Sequence, residues 1–468
     1  MTLKEKIILS ICFLFLILEF FFLTDIPAFW DATSKFLRAG WLYDHNFKQL
    51  VVPTEYNSGH PPLWISSIAI FWKVFGKAIW SARLLLLFVN MGAVYQLFLL
   101  FKKTRIPQVS ILLFLVLCIE PTFIAQTTSL NNDILLLFFT LLGINSLLKN
   151  SWFLYAIALT GILFTNLRGI YIAIVLILTH IAYIKFGIQT LKRNMYYSYA
   201  IAIVAFLSFL LYQYQELGWV IITKNKSYSQ HRESTSLINA LKNSIAFAKN
   251  LLEYGRFVVW LPLLVYLLKF RKGKNIDRRS KALLIPLFLF LFIFFLGMVP
   301  FSNPMGPRYL MICNLLAILL FFNALYTFEY TSIKKKVVIA ITVLAFITGH
   351  LWIYPATIAQ GWDSSLAYLR YYGLEKEMLS FIEQEEIPFT QIGTNLPMHN
   401  RAYARAKDDG ASEFQFASID LQENEFYLFS NIENKTQDEE IEILKKEWEI
   451  VKEYTSMGVF LTLYKRPN

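Results

Sequence analysis

Three aspartates, four arginines and a histidine stand where apolar stretches of this chain begin or end. Asp25, Asp31 and Asp133 are the acids, Arg83, Arg168, Arg256 and Arg308 the cations, and His60 precedes Pro61-Pro62. A carboxylate at a bilayer surface can take the proton of a hydroxyl as general base. A guanidinium binds phosphate through two parallel hydrogen bonds and is more weakly hydrated than an ammonium. Ionisable side chains near hydrocarbon are costly and are kept where they do something. Acids for proton transfer beside arginines for phosphate point to chemistry on a phosphate-bearing substrate at the membrane surface. Each residue also has a plainer reading. Asp25 can be an ordinary polar helix end. Asp31 stands four residues before Lys35, a favourable ion-pair spacing on a helix. Asp133 can stabilise a helix N-terminus, and the arginines can snorkel to lipid headgroups. His60 can be a hydrogen-bonded loop residue, and His231-Arg232 is a further polar pair.

The elements that position these residues are membrane spans. The chain has 468 residues, 56% hydrophobic and 17% aromatic, with mean hydropathy +0.47, outside the range of soluble domains. Charge is segregated. Residues 1–360 carry 33 Lys and Arg against 13 Asp and Glu, whereas residues 361–468 carry 11 against 20. The basic excess belongs to the apolar part, so no nucleic-acid partner is expected. Cys12, Cys118 and Cys313 all lie in apolar stretches, without metal or disulfide spacing. The first apolar run follows Lys4-Glu5-Lys6 and lacks a small-residue cleavage site, so it reads as a retained signal-anchor.

A span takes roughly 20 apolar residues, and about 11 such spans are expected: 7–23, 80–101, 107–124, 133–148, 152–167, 169–185, 195–212, 255–270, 283–300, 308–328 and 337–354. With the N-terminus in the cytoplasm, span parity places the basic clusters at 102–105, 149, 185–193, 269–281 and 334–336 inside, as the positive-inside tendency requires. Segment 62–76 is too short to cross and reads as a surface helix. Trp64 and Trp72 are then expected in the headgroup layer. Residues 28–40 read as a second surface helix, and 213–254 as a second long outer loop. The chain divides into a transmembrane part, 1–355, and a small extracytoplasmic α/β domain, 356–468. In that domain helices are expected at 374–386 and 438–449, strands at 389–394 and 425–431, and a hairpin over 451–464.

The run Asp25-Ile-Pro-Ala-Phe29 through Gly40, then His60-Pro-Pro-Leu63, then Ser81-Ala-Arg83-Leu84, resembles the polyprenol-phosphate-sugar glycosyltransferases of the GT-C fold. That family includes the protein O-mannosyltransferases and the bacterial lipid A aminoarabinose transferases. Pro121 through Asp133-Ile134, Asn166-Leu167-Arg168-Gly169 and Gly306-Pro307-Arg308-Tyr309 are similar to further motifs, in order over 1–330. Ile26 stands where the family's pattern has Glu, which leaves Asp31 as a rival to Asp25. The resemblance implies an α-helical polytopic membrane protein in a bacterial inner membrane. It implies an inverting transfer of a sugar from a polyprenyl phosphate to an acceptor hydroxyl on a protein or envelope glycan or lipid, outside the cytoplasm. Asp25, or Asp31, would be the base, with Asp133 orienting. His60, Arg83, Arg168, Arg308 and Tyr309 would bind substrate. Some relatives use a divalent metal; no residue here is assigned to one. The alternative is a polytopic transporter or flippase of lipid-linked sugars, which predicts pseudo-symmetric halves around a midplane site.

Overall fold

The computed structural model describes residues 1–270, 276–327, 330–395, 404–407 and 416–467. Its N-terminal part is a bundle of α-helices: α1 (Leu3–Leu23), α2 (Asp31–Asp44), α3 (Leu63–Phe75), α4 (Ile79–Thr104), α5 (Leu113–Cys118), α6 (Pro121–Thr128), α7 (Asp133–Lys149), α8 (Trp152–Thr165), α9 (Gly169–Lys185), α10 (Met195–Leu217), α11 (Lys226–Ser229), α12 (Leu237–Leu252), α13 (Phe257–Phe270), α14 (Arg278–Met298), α15 (Met311–Thr327) and α16 (Ser332–Gly349). Among the described residues, five helices are long and apolar enough to cross a membrane: α1, α4, α10, α14, and α15 with the turn Pro307–Leu310 before it. The pair α12 and α13, bent by 102°, makes a sixth if taken as one span. Shorter apolar helices, α8 and α9 among them, pack between these. Apolar side chains such as Phe21, Phe22, Val204, Leu211 and Phe288 face outward around the bundle, as a hydrocarbon solvent requires.

The basic clusters gather at one end of the bundle. Lys102 pairs with Glu5 at 2.7 Å, joining the end of α4 to the start of α1. Lys103 donates to the Asn145 carbonyl at 3.2 Å, near the end of α7. Arg278 donates to the Ile188 carbonyl and Arg279 to the Arg105 carbonyl, at 2.6 and 2.9 Å. Residues 271–275 of the expected 269–281 cluster lie outside the described residues. Asp31, Asp133, Arg168 and Arg308 come together at the opposite end.

Several expectations are corrected. The span 107–124 is two short helices, α5 and α6. Pro121 lacks the N–H that a continuing helix would use. It starts α6 instead, where the Glu120 side chain caps the Phe123 N–H at 2.6 Å. The surface helix expected at 28–40 begins only at Asp31, because Trp30 adopts φ 50° and breaks the approach. Trp64 and Trp72 are core residues rather than headgroup anchors, 2% and 1% exposed. Their indoles donate to the carbonyls of Leu130 (3.1 Å) and Ala78 (2.9 Å), which lets them be buried. Segment 213–254, expected as a long outer loop, contains α11 and α12. The latter is strongly amphipathic, with Leu241 and Ile245 exposed and Asn243 tied to the Val299 and Phe301 carbonyls.

The C-terminal part is α/β. Helix α17 (Tyr371–Gln384), strands β1 (Ile392–Thr394) and β2 (Phe426–Ser430), helix α18 (Asp438–Glu447) and strands β3 (Glu449–Ser456) and β4 (Val459–Lys465) follow in sequence. The sheet order is β1-β2-β4-β3, with β1 and β2 parallel and the other pairs antiparallel. The expected hairpin turns at Met457-Gly458, both at positive φ. Segment 360–372 packs onto the bundle. Gln126 donates to the Asp363 carbonyl at 2.7 Å, Thr122 to the Ser364 carbonyl at 3.2 Å, and Thr128 shares a 2.8 Å hydrogen bond with the Tyr368 hydroxyl. The C-terminal part is thus joined to the end of the bundle that carries the acids.

Candidate active site

A cavity of about 420 Å³ opens at that end. Its wall includes Asp31, Lys35, His60, Asp133, Arg168, Arg232, Arg308 and Tyr309. Asp31 and Asp133 each stand in the first turn of a helix, α2 and α7, where the helix dipole favours a negative charge. Arg168 comes from the tight α8–α9 turn. Gly169 permits this turn, since a Cβ there would sit 2.2 Å from the Ile162 carbonyl oxygen. Arg308 comes from the 3-10 turn Pro307–Leu310 before α15. His60 follows Gly59, where φ is +79° and an added Cβ would sit 3.0 Å from the Ile221 carbonyl oxygen, so a side chain there would be strained.

Arg308 is the hub. One terminal nitrogen donates to Asp31 Oδ2 and the other to Asp363 Oδ2, while its Nε lies 3.7 Å from Asp133 Oδ2. Arg168 pairs with Asp133 Oδ1 and stacks over the Tyr309 ring, 3.8 Å from its centroid. Lys35 donates to Asn131 Oδ1 at 2.7 Å, and Asn131 donates to Asp363 Oδ2 at 3.0 Å. Among the described residues the helical Asp31–Lys35 ion pair suggested by spacing is not made: Asp31 pairs with Arg308 and Lys35 with Asn131.

The three carboxylates are not equivalent. Asp133 and Asp363 have side chains 3% and 5% exposed, whereas that of Asp31 is 53% exposed into the cavity. Asp31 Oδ1 accepts no hydrogen bond among the described residues. Burial by the surrounding protein would raise the Asp31 carboxyl, but the charges of Arg308 and then Lys35 outweigh it and hold the group well below the usual carboxylate range. Burial raises the Asp363 carboxyl above its ordinary value, against the pull of Arg308. Burial brings Lys35 down to about 8, opposed by Asp31. His60 is lowered well below its ordinary value by burial and by Arg232, Arg38, Lys35 and Arg168, so it is neutral at neutral pH. The Leu167 N–H points at its Nδ1 from 3.5 Å, which leaves Nε2 to carry the proton.

Six of the eight residues singled out in sequence meet here: Asp31, Asp133, His60, Arg168, Arg308 and Tyr309. Asp25 and Arg83 stand apart. Asp25 is exposed just beyond α1 and does not line the cavity. Arg83 is 4% exposed and donates to the carbonyls of Ile26 (2.6 and 3.1 Å) and Thr128 (3.1 Å), which occupies its guanidinium with backbone. Arg256 is likewise buried, paired with Glu120. Lys35, Asp363 and Asn131 were not singled out. Lys35 resembled a surface helix charge, and Asp363 sits in a segment without a motif. Arg232, a lining residue, reaches the Ser58 carbonyl at 3.5 Å and has a buried Nε without a hydrogen-bond partner. Four cations, Lys35, Arg168, Arg232 and Arg308, thus face two lining carboxylates, so the cavity favours an anion. Among the described residues, no three His, Cys, Asp or Glu gather to hold a metal ion.

The structure is thus a multi-helix membrane bundle with an acid- and arginine-lined cavity at one end and a small α/β region joined to that end. The fold comparison agrees. The crystal structure of ArnT from Cupriavidus metallidurans bound to undecaprenyl phosphate matches with a TM-score of 0.56 at 11% identity, over 99% of this chain and 98% of that one. ArnT in the apo state matches with a TM-score of 0.57 at 10% identity, over 97% of each chain. ArnT is a lipid A aminoarabinose transferase of the GT-C fold, and its fold is the fold of this chain. No protein-family model matches the sequence, and no curated protein does.

Proposed function

We propose that this protein is an inverting glycosyltransferase of a bacterial inner membrane. It moves a sugar from a polyprenyl phosphate to an acceptor hydroxyl at the extracytoplasmic face. The observation that carries the reading is the exposed Asp31 carboxylate, with one oxygen free, in a cavity whose other charges are mostly cationic. Asp31 takes the proton of the acceptor hydroxyl. The acceptor oxygen attacks the anomeric carbon as the bond to the phosphate oxygen breaks, and polyprenyl phosphate leaves with the electron pair. Lys35, Arg168 and Arg232 meet the charge that develops on that phosphate, and the neutral His60 adds a hydrogen bond from Nε2. Asp133 orients Arg168 over the Tyr309 ring. ArnT, solved with undecaprenyl phosphate, supports a polyprenyl phosphate as the donor's carrier. The acceptor belongs to a protein or an envelope glycan or lipid.

The test uses membranes containing the full chain and polyprenyl phosphates bearing labelled sugars. Label is expected to leave the lipid and appear on an acceptor. Asp31→Asn, with wild-type yield and thermal stability, is expected to slow this by about 100- to 10,000-fold, the usual contribution of a general base. Wild-type turnover by that variant rejects Asp31 as the base. A lipid-linked-sugar transporter would carry the donor across with its anomeric bond intact, so label that changes sides but stays on lipid identifies that alternative.

A further inference from the structure

Asp363 lies behind Arg308 rather than on the cavity, and it comes from a segment that follows the last helix of the bundle. Its Oδ2 accepts from Arg308 Nη1 and from Asn131 Nδ2, its backbone carbonyl from Gln126 Nε2. Asn131 in turn accepts from Lys35, and Arg308 Nη2 donates to Asp31. Because Asp31 and Lys35 are one turn apart on α2, these links close a ring: Asp31, Arg308, Asp363, Asn131, Lys35. The C-terminal part also grips the turn before Asp31. The Trp30 indole donates to the Ile432 carbonyl at 3.2 Å, and Phe29 stacks on Tyr368 with ring centroids 4.8 Å apart. The φ of 50° at Trp30 is a conformation that a bulky residue adopts only when its surroundings impose it.

A guanidinium facing one carboxylate favours two parallel hydrogen bonds that occupy both oxygens. Asp363 takes one arm of Arg308, so Asp31 receives only the other. We propose that Asp363 is a positioning residue, delivered by the C-terminal part, which keeps Arg308 from closing on both oxygens of Asp31 and so leaves one oxygen free for the acceptor. The inference rests on the reading of Asp31 as base.

Asp363→Asn keeps the size and a carbonyl acceptor, so a merely structural role predicts wild-type kinetics. The positioning role predicts a fall in kcat of about 10- to 100-fold with donor KM within about twofold. Asp363→Glu, which restores the charge, recovers most of that loss. In an Arg308→Lys background, where no fork can form, Asp363→Asn changes kcat less than about twofold. Unchanged kcat in Asp363→Asn, or an undiminished effect in the Arg308→Lys background, overturns the proposal. If the wild type transfers no sugar from any polyprenyl-phosphate donor, the transferase reading fails by itself. The geometry is then read from a structure of the full-length Asp363→Asn variant in nanodiscs. Arg308 is expected on both oxygens of Asp31; an unmoved Arg308 overturns the proposal.

Discussion

At the residue scale, the charged side chains divide into those spent on protein and those that face the cavity. Arg83 and Arg256 satisfy buried acceptors, whereas Asp31, Lys35 and Arg232 keep capacity for a ligand. Asp25→Asn is accordingly expected to keep wild-type turnover in the labelled-donor assay, in contrast to Asp31→Asn. Lys35 has a pH signature. Burial places its ammonium near pH 8, so its positive charge is present below that pH and lost as the pH rises through it. Donor KM is expected to rise between pH 7 and 9 in the wild type and to stay flat in Lys35→Arg, whose guanidinium keeps its charge. A flat wild-type profile removes Lys35 from phosphate binding. Residue types and motif spacing made Asp133, His60, Arg168, Arg308 and Tyr309 legible in the sequence. They left Asp25 and Asp31 as rivals, because both follow the first span and only the backbone turn at Trp30 decides which one faces the cavity.

At the element scale, the break between α5 and α6 matters most. It allows Glu120 to cap α6 and, from the same side chain, to pair with Arg256 at the bend into α13. Both side chains are at most 1% exposed. Glu120→Ala leaves the guanidinium buried without its counter-charge and is expected to destabilise the protein by about 3–5 kcal/mol. Replacing Glu120 and Arg256 together with apolar residues is expected to cost less than Glu120→Ala alone. Thermal unfolding in detergent of the two variants checks the order. Hydropathy alone read 107–124 as one span because both halves are apolar. The signal that it is broken, a capping Glu directly before Pro121, is local and polar. The sequence did not show the helix α12 within segment 213–254, since its apolar residues follow a helical stripe and form no continuous run.

At the scale of the whole molecule, all the basic clusters whose contacts are described fall at one end, and the cavity and C-terminal sheet at the other. Single cysteines placed at Tyr56 and Glu442, in a chain freed of Cys12, Cys118 and Cys313, are expected to react with a membrane-impermeant thiol reagent from the same side. One at Lys185 is expected to react only after the membrane is opened. Labelling of Lys185→Cys together with Tyr56→Cys in sealed cells would overturn that arrangement. Charge segregation along the chain made this polarity readable before any coordinates. The change of composition near residue 355 says nothing of the contacts that segment 360–372 makes with the bundle.

The polar ring around Arg308 sets an order of assembly. Ribosomes deliver Asp31 early and Asp363 only after the final hydrophobic helix has been threaded. A nascent or prematurely terminated polypeptide therefore holds Asp31 and Arg308 without Asp363, and the ring cannot close until biogenesis is nearly complete.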